Sequence, residues 1–525
     1  MKLLLLILCL VLILVLLCPV LVSCSAKIAA APTQTAEKET AEAVTETKSE
    51  PVAYPCETDP DLSTELSYET LSREAMETLP VASDDMTAME KRKLCLDYFQ
   101  MQLSFLWETN LDVTDYYTTY AKQFDDRALL TGNTYAGIPY QSSGNGNLYR
   151  ILEYYDEKTG VLDLDRAFAE HGGYGEGGEV DSLKLDKNGN VSYKRYRSLR
   201  TFFNSCSSGS AWAWARVINT ADYGATTDIN VNGGFIPVGC YTYKNMEVID
   251  KFGSVTIANP TKVDTGDVIL QMGEEYLYHC YALCRPADCV VSPGHVMMVK
   301  KVNLVRRADG TPDPQKSKVI LMDQGENWSV KTEFNGKKLY RQGGVDRVFT
   351  FNELRNSNYL PFTFAELLDE SDPFDQPHLE FYKKHIAERN IFLEKYTSQG
   401  FSASQLPEIG SVGVEKAVIF LSGKADSLES LAKLKLGCNY PISDVFVRVK
   451  SANGKALVEN VYRATSNSAR VVSLSAQMSN AKTGENDKRP SLMTGVAEAV
   501  SKGGKLEISV QVSTGELLTL EGLDF

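Results

Sequence analysis

The chain has 525 residues, with 54 Lys and Arg against 68 Asp and Glu, and is 43% hydrophobic, which is enough for more than one buried core and argues against a single compact domain. Its formal charge of −14 offers no footprint for tracking phosphates or coating an anionic membrane surface, so nucleic acid is excluded as an expected partner. Aromatic content of 10%, with 26 tyrosines, points to a folded body in which low-complexity composition is confined to a short stretch.

Residues 1–24 open with Met1 and Lys2, continue as an apolar run from Leu3 to Val22, and end in Ser23 and Cys24. This is a targeting segment. Leu21-Val22-Ser23-Cys24 resembles a bacterial lipobox, in which Cys24 receives a lipid and becomes the mature N-terminus. The competing reading is an uncleaved anchor, because about 20 apolar residues span a bilayer. Either way the rest of the chain is expected outside the cytoplasm, in a bacterial cell envelope, held to the lipid bilayer through its N-terminus. Residues 25–60, rich in Ala, Thr, Glu, Lys and Pro, read as a solvated tether.

Residues 61–130 are expected to form a helical extension. Thr87 and Glu90 make a capping box, and Leu96, Phe99, Leu103 and Leu106 follow at helical spacing, giving an apolar stripe for packing on the main domain. Residues 131–370 alternate Gly-rich turns, short helical stretches and β-patterned runs, as a mixed α+β domain does. Residues 371–410 hold a charged helix, about Leu379 to Lys395, and read as a connector. From 411 to 525 the pattern becomes strands. Leu506, Ile508, Val510 and Val512 alternate with polar residues, Val445, Val447 and Val449 repeat the period, and Asn453-Gly454 offers a hairpin turn into Ala456 to Val461. A small antiparallel all-β sandwich is the simplest account, serving binding or spacing, since it has no His and only Cys438.

Chemistry concentrates in the middle domain. Asn204 and Ser205 are good N-cap types, and the following Cys206 would head a buried helix, where free backbone N–H groups and the helix dipole favour a thiolate. Such a nucleophile needs an imidazole in reach to take its proton and return it to the leaving group. Of five histidines, His295 is the candidate, at the start of a β-patterned run Gly294 to Val299. The strand Lys318 to Met322 ends in Asp323-Gln324, and antiparallel pairing through 303–317 brings that end beside His295. Asp323 is the better orienter because a carboxylate also stabilises the imidazolium. Gln324, on the opposite face, replaces it if the register slips by one. Asn327 and Trp328 stand close enough in sequence to complete the site. A Thr265-Gly266-Asp267 turn leads into a further strand, 268–270.

These residues together resemble a known family: a Cys heading a helix, Gly-Asp before a strand, Gly-His-Val at the next, and an acidic-Gln pair followed by Asn-Trp. They look like the CHAP group of papain-like cysteine amidohydrolases and peptidases, with NlpC-type enzymes as close cousins. Tyr135-Ala136-Gly137-Ile138-Pro139-Tyr140 is similar to the stretch that opens NlpC-type domains. The resemblance covers about Tyr135 to Phe364. It implies a papain-like fold, in which the helix bearing the Cys packs on an antiparallel sheet, and a substrate in peptidoglycan, cut at a stem peptide bond or at the amide joining stem to sugar. Carried over, Cys206 attacks the carbonyl, His295 serves as base and then acid, and Asp323 orients His295. Backbone N–H groups of Ser205, Cys206 and Ser207 receive the oxyanion. The chain departs from the pattern in Ser207-Ser208-Gly209-Ser210 after the Cys, in Asp323 where Glu is common, and in Gly325-Glu326 before Asn327.

Of eleven cysteines, Cys9 and Cys18 leave with the signal and Cys24 goes to lipid. The other eight are assigned no pairs. Cys280, Cys284 and Cys289 lie in an insertion, Gln271 to Pro293, with spacings outside the usual Cys-x-x-Cys of structural zinc sites. No metal or other cofactor is expected, and the insertion reads as a thiol-lined loop over the cleft. Two function classes follow. One is a lipid-anchored cysteine hydrolase of cell-wall peptidoglycan. The other is a catalytically inactive lipoprotein on a papain-like scaffold that binds peptidoglycan or another envelope polymer.

Overall fold

Helix α1 (Ala88–Ser104) begins where the capping box requires. Thr87 is in an extended conformation, its Oγ accepts the Glu90 N–H, and the Glu90 carboxylate accepts the Thr87 N–H at 2.7 Å. Its buried positions include Leu94, Cys95, Leu96, Tyr98, Phe99 and Leu103, and also Arg92 and Gln102, so the buried face is wider than the expected stripe. Arg92 tolerates burial because it pairs with Asp288 at 2.8 Å and donates to the carbonyls of Leu367 and Pro286. The helix stops at Phe105, whose backbone is extended. Leu106, expected on the helical stripe, instead opens strand β1 (Leu106–Thr109).

The structure is a computed structural model. It describes residues 52–63, 67–113, 129–141, 144–171, 173–174, 184–185, 191–192, 197–199, 201–218, 235–241, 272–292, 294–334, 336–385, 396–402, 404, 406, 416–463, 469–475, 492–523 and 525. All belong to one unit, Pro51–Phe525. The signal at 1–24 with Cys24, the strand expected at 268–270 and the second half of the connector helix lie outside the described residues.

The architecture is mixed α/β. After β1 come β2 (Thr134–Ala136), α2 (Leu148–Leu152), β3 (Tyr155–Asp156), β4 (Val161–Leu162), α3 (Leu164–His171), α4 (Cys206–Trp214), β5 (Ile236–Pro237), α5 (Glu274–Leu283), β6 (Cys289–Ser292) and β7 (His295–Asn303). The long hairpin β8 (Lys318–Phe334) and β9 (Lys337–Thr350) follows, then α6 (Phe351–Asn356), β10 (Leu360–Thr363) and α7 (Gln376–His385). One ten-stranded sheet runs in the order β3-β4-β1-β2-β9-β8-β7-β6-β10-β5. Its centre is antiparallel, while β1 with β4 and β2 with β9 are parallel pairs. A single apolar core runs from Tyr54 to Tyr382, so α1 is interior to it.

Two expectations are corrected here. Residues 52–60, read as the end of a solvated tether, are docked: Tyr54 is buried, and Asp59 accepts both Nε and Nη2 of Arg285 at 2.8 Å. The cysteine-bearing insertion is not a loop over the cleft. It forms α5 and β6, and Cys280, Cys284 and Cys289 all point into the core, the ordinary fate of a cysteine in apolar surroundings.

The C-terminal region has strands β11 (Ile419–Leu421), β12 (Lys435–Cys438), β13 (Ile442–Lys450), β14 (Ala456–Arg463), β15 (Val471–Ser473), β16 (Lys505–Val512) and β17 (Leu517–Thr519). They form two antiparallel sheets, β11-β12-β15 and β14-β13-β16-β17. Val445, Val447, Val449, Leu506, Ile508, Val510 and Val512 are buried in a second core. That core also takes helix α8 (Leu492–Ser501), through Val496 and Ala499, so the region expected to be all-β is mixed. The physical reason is that an apolar helix face covers sheet surface as well as a further strand does.

Candidate active site

Helix α4 starts because Ser205 caps it. Ser205 Oγ accepts the Ser208 N–H at 3.3 Å, and Ser208 Oγ accepts the Ser205 N–H at 2.9 Å. Cys206 is therefore the first residue of the helix. The helix body packs against α1, β7 and β8. At Gly209 a Cβ would lie 3.0 Å from Gln102 Nε2 and 3.2 Å from Gln324 Cβ, so glycine permits the close approach. Trp214 fixes the far end by donating its indole N–H to the Ala287 carbonyl at 2.8 Å.

His295 is the first residue of β7, directly after Gly294 at φ +90°. Strands β7 and β8 pair antiparallel with Met298 opposite Met322, which carries Asp323 to the imidazole. His295 Nε2 lies 2.9 Å from Asp323 Oδ1. The Cys206 sulfur is the other group that acts on the imidazole. The thiol also lies 3.8 Å from the Gly294 carbonyl, to which it can donate. Cys206 is 5% exposed and the His295 side chain 27%, so the imidazole is the better exposed of the two.

The charges at the site are coupled. Burial alone would push His295 towards its neutral form, but the Asp323 carboxylate and the Cys206 sulfur beside it outweigh burial and raise its pKa to about 11. Asp323 is fully buried, which pushes its carboxyl up, yet the contacts with His295 and the Arg347 guanidinium hold it below the usual carboxylate range. A proton delivered to this imidazole stays there until a better acceptor appears.

Of the residues expected from the sequence, Cys206, His295 and Asp323 are brought together. Gln324 is engaged elsewhere: its Nε2 donates to the Ile138 carbonyl at 2.9 Å, and its stem lies beside Gly209 of α4. The side chain of Asn327 lies outside the described part of the structure. Among the three expected oxyanion donors, Ser205 is corrected, because its N–H is consumed by Ser208 Oγ in the capping box. Cys206 and Ser207 occupy the first two helical positions, where N–H groups have no intrahelical acceptor. His279 is engaged with the Tyr54 hydroxyl and His378 with the Gly239 N–H, both away from Cys206.

Arg347, which contacts Asp323 Oδ2, was not found by reading the sequence. It stands on β9, 24 residues beyond Asp323, across a pairing that shifts register on both sides of Asp323. Only the steric demand hints at the crossing: Gly343, at φ +92°, has no room for a Cβ against the Asp323 carbonyl. Tyr359, whose ring centroid is 6.5 Å from that of His295 in an edge-on arrangement, was also missed.

Among the described residues no group of three or more His, Cys, Asp or Glu side chains is placed to hold a metal ion, and no helix is long and apolar enough to cross a membrane. No protein-family model matches the chain, and neither a curated protein nor a solved structure does.

Proposed function

We propose that this chain is a cysteine hydrolase that cuts amide or peptide bonds of cell-wall peptidoglycan through an acyl-enzyme, using Cys206, His295 and Asp323. The observation that carries the proposal is that Asp323 Oδ1 sits 2.9 Å from His295 Nε2 while the Cys206 thiol, at a helix N-terminus, lies 3.8 Å from the carbonyl of Gly294, the residue before His295. The mechanism follows from those positions. The imidazole takes the thiol proton, the sulfur attacks the amide carbon, and the oxyanion is received by the Cys206 and Ser207 N–H groups at the positive end of α4. His295 then protonates the departing amine, and water, deprotonated by the same imidazole, releases the acid and restores the thiol. Asp323 holds the ring in place and stabilises its charged form.

A Cys-bearing helix packed on a sheet whose antiparallel strands carry the His and the Asp supports the reading of a papain-like catalytic body. The wall substrate, the lipid at Cys24 and the extracytoplasmic location rest on the motif resemblance and on the signal at 1–24. Two measurements test the proposal. Iodoacetamide should modify Cys206 faster than any other thiol of the native chain. Cys206→Ala and His295→Ala should each lower release of amides from wall fragments by about a thousand-fold or more. Equal labelling of all accessible cysteines, or release that survives the loss of Cys206, would falsify it.

A further inference from the structure

The C-terminal region has its own core and no histidine, and besides the Arg463 contacts with Glu153 and His171 it makes polar contacts with the catalytic body near the two ends of α4. Before the N-terminus of α4, two segments lie side by side. Gly146 N–H donates to the Phe203 carbonyl at 2.9 Å, Asn145 bridges to Asn204, and Ser205 Oγ lies 3.4 Å from the Gly144 carbonyl. Arg150 of α2, fully buried, joins both segments by donating Nη1 to the carbonyls of Asn145 and Thr201 at 2.8 Å. Its other donors go to the C-terminal region: Nη2 to the Ser443 carbonyl at 2.6 Å and Nε to Asp444 at 3.2 Å. Asn147 adds a bond from Nδ2 to Ser443 Oγ at 2.8 Å. At the other end, Ser513 Oγ donates to the carbonyl of Ala215, the C-cap of α4, at 2.9 Å. Beside it Gly515, at φ +95°, has no room for a Cβ against the Tyr149 hydroxyl and Arg216.

We infer that the C-terminal region is a positioning element for the nucleophile helix: Ser443, Asp444 and Ser513 hold the two ends of α4 so that the Cys206 sulfur stays opposite His295. The inference rests on the catalytic reading of that pair. Its physical basis is that the segment leading to the cap lies in tight backbone contact with Gly144 and Gly146 of its neighbour, where a Cβ would strike the Phe203 or Phe202 carbonyl, and the Arg150 donors tie that pair of segments to the C-terminal region. Those donors need fixed acceptors, and the C-terminal region supplies two of them. A shift of the nucleophile by about 1 Å is enough to cost a large factor in rate.

The test uses the full chain with Ser443→Ala and Ser513→Ala, singly and together, since each removes a hydroxyl and no charge, and Ser513→Thr as the conservative control. Cys206 alkylation by iodoacetamide, kcat and KM on wall fragments, and amide hydrogen exchange are measured well below the melting temperature of each variant. The double variant should slow alkylation and kcat about ten-fold with KM within about two-fold, and quicken exchange in 206–214 but not in 289–303. Ser513→Thr should restore the Ser513 share. Unchanged alkylation and exchange, a rise in KM alone, or exchange quickened evenly through the chain would each overturn the inference. The exchange readout needs no activity, so it decides the matter even if wild-type Cys206 labels no faster than other thiols and the hydrolase reading fails.

Discussion

Asp323 and Asp444 are both buried carboxylates set between two cations, and they differ in what those cations can do. Asp323 stands between His295 and Arg347, and the His295 and Arg347 side chains are 27% and 47% exposed. Asp444 stands between Arg150 at 3.2 Å and Arg463 at 3.0 Å, both buried. A guanidinium keeps its charge at any ordinary pH, whereas an imidazole can lose and regain a proton. The same motif thus leaves one cation titratable and part-exposed at Asp323, and makes a fixed seam at Asp444, where neither condition holds.

The largest effect that would break this comparison is at Asp323. Asp323→Asn should lower kcat by about a hundred-fold or more, because an amide cannot stabilise the imidazolium. Full activity in a folded Asn variant would remove Asp323 from its role. The same variant has a signature in stability. The folded pKa of His295 is raised to about 11, so its contribution to stability is complete below about 6.5, the ordinary value, and fades as pH climbs towards 11. Urea unfolding between pH 6 and pH 10 should show a decline in the wild type that is flatter in Asp323→Asn.

At the seam, Asp444→Ala leaves two buried guanidinium groups without their carboxylate and should cost about 3–5 kcal/mol in equilibrium unfolding. A cost below about 1 kcal/mol would mean that the seam carries no strong pairing. The smallest effect concerns His171, which borders the seam through the Tyr154 hydroxyl at 2.9 Å and Arg463 Nε at 3.4 Å. Burial, with the Arg463 charge beside it, lowers its pKa to about 4. The folded state then binds fewer protons than the unfolded chain between about 6.5 and 4, so stability falls as pH drops through that window, by roughly 2–3 kcal/mol. His171→Gln should flatten that acid slope in denaturant titrations at pH 4.5 and pH 7.

What could be read in advance was local. Thr87 and Ser205 mark helix starts because a cap is a four-residue event, and the period-two run at Leu506 to Val512 marks a buried strand face because the pleat has that period. His295 opens one strand and Asp323 stands near the start of the next, with which it pairs antiparallel, so their approach follows from that pairing, although the second strand runs on to Phe334 rather than ending at Asp323. Arg347 was out of reach because bulges on both sides of Asp323 change which residue faces which. The seam was out of reach for a different reason. Arg150 and Asp444 are 294 positions apart, and no periodicity links a buried arginine to an acceptor in another core. The docking of Tyr54 and Asp59 was hidden by composition, since a few anchoring side chains do not alter the polar average of a segment.

The placement of sulfur has a consequence for how the molecule comes apart. Cys95, Cys280, Cys284 and Cys289 belong to the first core and Cys438 to the second, and burial pushes the Cys95 and Cys438 thiols up to about 12. Each is silent until the layer above it opens. The order in which they become accessible during denaturation therefore records whether the two cores melt in one cooperative transition or in two, with no foreign reporter built into the chain.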